Sequence, residues 1–185
     1  MKKGLLLIVF GGLFLLQLTA GNAALSDWKG TPIDTVKIGN QIWAAKNMSI
    51  PAPNSFWYER DSIANKDNGR LYFFSAAMSV CPKGWHIPSD SEWQELITYL
   101  GGDAVAIPQL LQGGSSHLNL TLSGYRSANS ANDLFGKKGE SGMYWTSTVQ
   151  GEQTAYGRVF SATTIENNYY RRANAFSVRL IKDKK

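Results

Sequence analysis

The sequence predicts an α+β fold in which short helices pack on an antiparallel β-sheet and long irregular loops connect them. Three observations predict this fold. The first half contains a capped amphipathic helix over 89–100, and the second half contains short β-prone segments separated by turn-rich stretches. Before that helix, 48–69 is rich in Pro, Asn, Asp and Ser, which is typical of a long loop. Helices followed by a run of strands favour α+β over a parallel α/β arrangement.

The N-terminus has the layout of a secretory signal peptide. Lys2 and Lys3 precede an apolar run from Leu5 to Leu16, and small and polar residues follow up to Ala24. A membrane-spanning helix needs about 20 apolar residues, so an uncleaved anchor is the less favoured alternative. We predict a signal peptide over 1–23, a lead-in over 24–33 and one domain over 34–185. The protein is then exported (extracellular, cell-surface or periplasmic), with no membrane span after signal cleavage.

The positive charge of the chain is scattered. The formal net charge is +5, and the densest basic groups are Lys137-Lys138, Arg171-Arg172 and the C-terminal tail. A nucleic-acid-binding protein usually concentrates its bases along one face or helix. We therefore predict a solvated basic surface and no nucleic-acid partner.

The first predicted element is a β-hairpin. Over 34–47, Gly39-Asn40 separates two β-prone runs, as in a two-residue turn, and the pairing places Val36, Ile38 and Trp43 on one face. After the long loop, "FSAAMSV" predicts a short helix over 74–80.

The clearest helix follows Ser89. Ser89 and Glu92 have the capping-box spacing, in which each side chain bonds the other residue's free backbone N–H. An apolar stripe then recurs at helical spacing and consists of Trp93, Leu96, Ile97 and Leu100. Gly101-Gly102 ends this helix, and a second short helix is predicted over 104–112.

The second half predicts strands. The candidates are "LTLSGYRS", "GMYWTSTV", "TAYGRVFSA" and "AFSVRLIKD". Two stretches rich in turn formers, "ANSANDLFGKKGES" and "TTIENNYYRRAN", are predicted to be connections between them.

The stretch "CPKGWHIPSDSEW" raises the question of catalysis, because it places Cys81 near His86 and Glu92. A cysteine nucleophile needs a lowered pKa and a base within reach. Cys81 follows a predicted helix end, whose partial negative charge disfavours a thiolate, and Glu92 already has a capping role. We predict a structural thiol, a packed His86 and no enzyme activity.

Metal sites are also disfavoured. The available nitrogen and sulfur ligands lack the paired spacing of a zinc site. For calcium, oxygen ligands are present only in the weak pattern formed by Asn129, Asn132, Asp133 and Glu140. Asn and Asp also form turns by bonding their own backbone. We predict no metal and no cofactor.

Several blocks in the same order resemble a known family. They are "TVKIGNQIWAAKNM", "GRLYFFSAAMSVCPKGWHIPSDSEWQEL", "GYR", "GMYWTSTV" and "FSVRLIKD". Together they resemble the Fibrobacter succinogenes major paralogous domain family over about 34–183. The resemblance implies a bacterial secreted or cell-surface module in the C-type-lectin-like fold group, with an unassigned biochemical function and an expected role in recognition or adhesion.

The sequence departs from the family pattern at one position, and it excludes the chemistry of one related group of enzymes. Members of the family often have a second cysteine in the last strand, where this chain has Leu180. If Cys81 pairs there in relatives, that bridge is missing here. Sulfatase-modifying enzymes share the "GW" block, but their chemistry needs cysteines late in the chain, and none follows Cys81 in this sequence.

Recognition by loops is the remaining hypothesis. Aromatic rings flanked by amide and guanidinium donors can stack on a sugar or anchor a protein interface; the alternative is that these rings pack against their own sheet. The candidate ligand-binding residues are Trp57, Tyr58, Arg60, Asn168, Tyr169, Tyr170 and Arg171. We predict a non-catalytic recognition or adhesion module for carbohydrate or a surface protein. The alternatives are a polysaccharide-acting hydrolase that uses loop carboxylates and, third, a structural envelope protein.

Overall fold

The computed structural model describes residues 33–129 and 134–184. The predicted signal peptide over 1–23 and the lead-in up to residue 32 lie outside these ranges, as do Asn132 and Asp133 of the candidate calcium loop. In the described part, short helices accompany a larger number of strands, which confirms the α+β class. No described helix is both long and apolar enough to cross a bilayer.

The elements are short, and most of them are strands. In chain order they are β1 (Thr35–Ile38), β2 (Gln41–Ala44), β3 (Ser55–Phe56), a 3-10 helix (Tyr58–Arg60), α1 (Ser62–Asn65), a second 3-10 helix (Lys66–Asn68), β4 (Leu71–Phe73), α2 (Phe74–Ser79), β5 (Trp85–His86), α3 (Asp90–Tyr99), α4 (Asp103–Leu110), β6 (Ser123–Arg126), β7 (Phe135–Lys138), β8 (Ser141–Gln150), β9 (Thr154–Ser161), β10 (Ile165–Arg171), β11 (Ala175–Phe176) and β12 (Ile181–Lys182).

The described strands form two sheets, where the sequence predicts one. The smaller sheet has the order β1-β2-β12-β5, and the larger has the order β10-β9-β8-β6-β11-β4-β3 with β7 paired to β6. Among the described strands every pairing is antiparallel except that of β6 with β8, which meet in parallel at Gly124 and Gly142. The predicted antiparallel character is therefore confirmed for nearly all of both sheets.

The N-terminal hairpin forms as the sequence predicts. β1 and β2 pair with Val36 opposite Trp43 and Ile38 opposite Gln41, so Gly39 and Asn40 make the turn. Gly39 has a φ of 58°, a conformation that glycine adopts without the penalty of a side chain.

Helix α3 also forms as predicted. The Ser89 side chain accepts from the Glu92 N–H, and the Glu92 carboxylate accepts from the Ser89 N–H, which completes the capping box. Trp93, Leu96 and Ile97 are buried. The Trp93 ring lies 4.7 Å from the Trp43 ring, so the helix joins the smaller sheet to the core. Helices α2 and α4 lie within two residues of their predicted bounds.

The C-terminal segment connects the two sheets. The sequence predicts a single strand over "AFSVRLIKD", but the structure divides it into β11 in the larger sheet and β12 in the smaller. Between them, the carbonyls of Val178 and Leu180 accept hydrogen bonds from the N–H groups of Met48 and Ala44. The segment forms two short strands because it passes from the larger sheet to the smaller one between Phe176 and Ile181.

Two predicted connections contain strands. The stretch "TTIENNYYRRAN" contains β10, which pairs with β9 along its whole length, and "ANSANDLFGKKGES" contains β7. The prediction of turns was wrong here because the polar side chains of β10 project from an edge strand, where an exposed face needs no apolar alternation. The long loop over 48–69 likewise contains β3, α1 and two 3-10 helices, all of at most four residues.

Candidate functional site

An open cleft of about 510 Å³ lies on one face of the larger sheet, between β10 and the β6–β7 hairpin. Its volume is in the range typical of small-molecule sites. The cleft combines apolar and aromatic residues with a polar rim. The residues that line the cleft are Tyr125, Ser127, Asn129, Lys137, Glu140, Ser141, Met143, Val159, Ser161, Thr164, Glu166, Tyr170, Asn174 and Phe176.

Strand alternation decides which side chains of β10 reach the cleft. Successive side chains of a strand point to opposite faces. Glu166 and Tyr170 are an even number of residues apart and both line the cleft. Tyr169 lies opposite Tyr156 in the register of β10 with β9, and the two rings contact each other at 6.3 Å.

The opposite face of β9 and β10 is fixed to helix α3. The Arg158 guanidinium, which is buried, bonds the Asp90 carboxylate at 2.7 Å. The Asn167 amide donates to the same carboxylate at 3.0 Å. These contacts hold the two strands against the helix on the face opposite to the cleft.

A glycine lets the aromatic rings of the cleft approach each other. The Tyr170 ring meets the Phe176 ring edge-on at 5.0 Å. A methyl group on Gly157 would lie 3.3 Å from atoms of both rings. Burial raises the pKa of Tyr170, and the negative charge of Glu166 raises it further. The Tyr170 hydroxyl therefore stays protonated near neutral pH and can donate or accept a hydrogen bond.

Among the described residues, the rim of the cleft includes the Lys137–Glu140 ion pair and several groups that form hydrogen bonds. The Lys137 ammonium bonds the Glu140 carboxylate at 2.7 Å, and this bond raises the pKa of Lys137. Outside the lining, the Arg171 guanidinium donates to the amide oxygen of the lining residue Asn129 at 2.8 Å. The Asn174 amide oxygen accepts from a backbone N–H. Hydroxyl and amide groups surrounding aromatic rings can bind a sugar by hydrogen bonding and stacking.

The structure divides the predicted ligand-binding residues into two groups. Trp57, Tyr58 and Arg60 follow β3, whereas Asn168, Tyr169, Tyr170 and Arg171 belong to β10, at the other end of the strand order of the larger sheet. Only Tyr170 of this set lines the cleft.

The exposure of the predicted rings varies. Tyr58 is buried and packs against Phe135 at 5.2 Å, so the hypothesis that its ring is exposed for ligand was wrong. Trp57 is half-buried beneath the Arg70 guanidinium, and Tyr169 is 54% exposed. Arg60, Asn168 and Arg171 are exposed.

Several cleft residues were missed by sequence reasoning. Tyr125, Met143 and Phe176 come from three strands that are distant in the chain and adjacent in the sheet. Lys137 has a φ of 65° within β7 and points to the cleft rim. The useful signal was the alternation in "GMYWTSTV", which places Met143 on the face opposite to the buried Tyr144.

The Cys81, His86 and Glu92 side chains form no nucleophile–base pair in the described structure. The Cys81 thiol donates to the Trp85 carbonyl at 3.2 Å. Burial, together with the charge of Asp183, raises the pKa of Cys81 to about 11, so the thiol is protonated at neutral pH. His86 bonds Glu92 at 2.9 Å and Asp183 at 2.7 Å, which joins β5 to helix α3 and to the end of β12.

The described residues contain no group of three or more His, Cys, Asp or Glu side chains placed to hold a metal ion. Glu140 of the candidate calcium loop is engaged with Lys137 on the cleft rim.

The fold and the cleft define a small α+β domain that carries an open polar and aromatic cleft on its larger sheet. A family model for the Fibrobacter succinogenes major domain matches residues 36–182. Because this match spans most of the sequence, the chain belongs to the Fibrobacter succinogenes major domain family. No curated protein and no solved structure matched the chain.

Proposed function

We propose that this protein is an exported, non-catalytic recognition module that binds a saccharide in the cleft. The carrying observation is the cleft itself, where the rings of Tyr125 and Tyr170 accompany a rim of hydroxyl, amide and charged groups. A sugar ring has an apolar C–H face and a polar edge, and this lining offers a partner for each. Export and membership of the C-type-lectin-like fold group are part of the proposal, supported by the signal-peptide pattern and by the sequence resemblance.

The favoured experiment is a binding screen with purified protein against neutral and acidic polysaccharides, in the presence and absence of a chelator. Saturable binding, unchanged by the chelator, is the expected result. Replacing Tyr125 or Tyr170 with Ala should weaken binding roughly two- to twelvefold, because an aromatic contact contributes about 0.5 to 1.5 kcal/mol. Tyr169→Ala is the matched control, since that ring lies on the opposite face. Binding that survives both cleft changes would remove the proposed site.

A polysaccharide-acting hydrolase is the second candidate, favoured by one observation. Glu140 and Glu166 both line the cleft, and glycoside hydrolysis generally uses a pair of carboxyl groups. The Glu140 carboxylate is already bonded to Lys137, which favours a role in the rim over a role in catalysis. Release of soluble products from an intact polysaccharide, abolished by Glu140→Gln or Glu166→Gln, would establish the hydrolase instead. Capture of a surface protein with no polysaccharide binding would assign the cleft to a protein partner, and absence of any saturable ligand would favour a structural envelope protein.

A further inference from the structure

Beyond the cleft, three cations lie over aromatic rings around strand β3 at the edge of the larger sheet. The Arg126 guanidinium lies 4.4 Å from the centre of the Phe56 ring and 5.4 Å from that of Phe73. Arg70 lies over Trp57 at 5.0 Å, and Lys138 over Tyr58 at 5.3 Å. Together with the neighbouring Arg60, these cations and rings form what we call the arginine–aromatic surface.

The cations of this surface are not neutralised within the described residues. None of the ion pairs there involves Arg60, Arg70, Arg126 or Lys138. The nearby Asp61 carboxylate instead accepts from the N–H groups of Ile63 and Ala64, where it caps helix α1. Glu59 precedes Arg60 in the same 3-10 helix and forms no ion pair with it. Among the described residues, this surface therefore carries more positive than negative charge.

Arg60 and Arg126 lie on two elements that contact each other. The 3-10 helix that carries Arg60 packs against β6, where the Tyr58 ring approaches Gly124. Burial lowers the pKa of Arg126, and the positive charge of Arg60 lowers it further. Two like charges held together without a described counter-ion are stabilised when an anion binds between them.

The backbone that presents Arg60 is also unusual. Glu59 and Arg60 have φ values of 49° and 61°, so two consecutive residues other than glycine adopt the left-handed conformation. Such residues are uncommon and cost free energy, and they persist where the surrounding structure imposes them, often at ligand sites. The strained backbone therefore lies at Arg60, which supplies the second guanidinium of the arginine–aromatic surface.

We propose that the arginine–aromatic surface is a second glycan site, which binds an acidic polysaccharide through the guanidinium groups of Arg126 and Arg60. Arg126 follows the cleft residue Tyr125 on β6, so the two side chains lie on opposite faces of the larger sheet. This inference rests on the proposed glycan recognition and specifies the chemical class of ligand, with carboxylate or sulfate groups, that the second surface takes. A guanidinium offers a planar pair of donors that matches the two oxygens of a carboxylate or sulfate. The Phe56 and Phe73 rings contact the Arg126 guanidinium and restrict its motion, so less freedom is lost when an anion binds.

The same geometry argues against a nucleic acid as the occupant. Proteins that bind single-stranded nucleic acid stack bases on free aromatic faces. Here a cation covers one face of the Phe56, Trp57 and Tyr58 rings, and Tyr58 is buried. The surface therefore offers charge and hydrogen-bond donors and little area for stacking.

The test uses purified protein and two pairs of probes: polygalacturonate with neutral galactan, and dextran sulfate with neutral dextran. Binding is expected for at least one acidic polymer, with an affinity that falls as salt is added, because exposed charges are screened. Polygalacturonate reports carboxylate recognition and dextran sulfate reports sulfate recognition. Polyglutamate and a single-stranded oligonucleotide serve as anionic polymers of other classes, and equal or tighter binding to either would overturn the inference.

Variants assign the binding to named residues. Arg126→Gln and Arg60→Gln should each reduce affinity for the acidic polymer by about fivefold or more. Arg126→Lys should recover only part of the loss, since an ammonium lacks the planar pair of donors. Lys37→Gln is the matched control, because Lys37 is exposed on β1 in the other sheet. Thermal melting of each variant confirms that it is folded.

The outcomes separate this inference from the proposed function. Binding to neutral and acidic polymers alike, with sensitivity to Tyr170→Ala and none to Arg126→Gln, keeps glycan recognition and overturns the acidic class. Acidic binding that needs Arg126 and ignores Tyr170, with no binding of a neutral polymer, supports the inference and overturns the cleft as a site. Failure to bind any polysaccharide overturns both.

Discussion

Tyr169 and Tyr170 are neighbours in the chain but contact opposite faces of the larger sheet: Tyr170 meets Phe176 in the cleft, and Tyr169 meets Tyr156 on the other side. This difference follows from the alternation of a β-strand. It also makes the pair useful experimentally, because two identical substitutions at adjacent positions test two different faces.

The close approach of Tyr170 and Phe176 predicts a role for Gly157. Gly157→Ala should place a methyl group 3.3 Å from both rings and from the Tyr144 carbonyl oxygen. We expect a loss of about 1 to 3 kcal/mol in the free energy of unfolding, which is typical of an overpacked core, measured by chemical denaturation. The Gly136→Ala variant is the control, since the three atoms nearest to its methyl group would all belong to the Tyr125 side chain, at 3.4 Å, and none to the backbone. Equal stability of the two variants would contradict this view of the cleft floor.

Local chemistry explains which parts of the fold could be predicted from sequence. The Ser89–Glu92 capping box and the Gly39-Asn40 turn depend on residues a few positions apart, and both form as predicted. Strand β10 was missed because its pairing with β9 holds it in the sheet. Its exposed polar side chains show no alternation of polar and apolar residues from which a strand could be predicted.

The site was harder to predict than the fold for a related reason. Tyr125 and Tyr170 share a cleft only because β6, β8, β9 and β10 pair in one sheet. That order depends on long-range pairing, which no short motif encodes. The Arg126–Phe56 contact likewise joins two strands that are far apart in the chain.

Trp93 is predicted to be a major source of stability. Its side chain is fully buried and contacts Trp43, Tyr144 and Phe160. Trp93→Ala should lower the free energy of unfolding by roughly 3 to 5 kcal/mol, because a large cavity replaces these contacts. Tyr99→Ala, on the same helix but 65% exposed, should cost far less. A loss below about 1 kcal/mol at Trp93 would show that the helix is wrongly placed.

Leu180 and Cys81 pack in the same apolar cluster, and this predicts the effect of introducing a second cysteine at position 180. Leu180→Cys under oxidising conditions should form a disulfide with Cys81 and stabilise the protein by about 2 to 4 kcal/mol relative to its reduced form. Thiol titration together with thermal melting measures both effects. The double variant Cys81→Ser, Leu180→Cys is the control and should gain nothing on oxidation. If the Leu180→Cys variant is unfolded, refolded under oxidising conditions and still has two titratable thiols, these two positions do not pair.

The His86 interactions with Glu92 and Asp183 predict a pH dependence of stability. Burial lowers the pKa of His86, but hydrogen bonds and charges from the two carboxylates outweigh it, so the net shift is upward. Burial raises the pKa of Glu92, but hydrogen bonds from Ser89 and His86 outweigh it, so the net shift is downward. Each shift means that the group is more favourably charged in the folded protein.

The two pKa shifts define a pH range in which the His86–Glu92 interaction contributes most to stability. The His86 contribution is fully present below its unfolded pKa of about 6.5 and is lost as pH rises through the higher folded value. The Glu92 contribution is present above its unfolded pKa of about 4.3 and is lost as pH falls through the lower folded value. His86→Gln should therefore destabilise the protein most between about pH 4.3 and 6.5, and progressively less at higher pH. Denaturation midpoints measured from pH 4 to 9 test this, with His117→Gln as the control because His117 is exposed and has no described ion pair. A constant difference between the wild type and His86→Gln across that range would show that the His86 contacts contribute no charge-dependent stability.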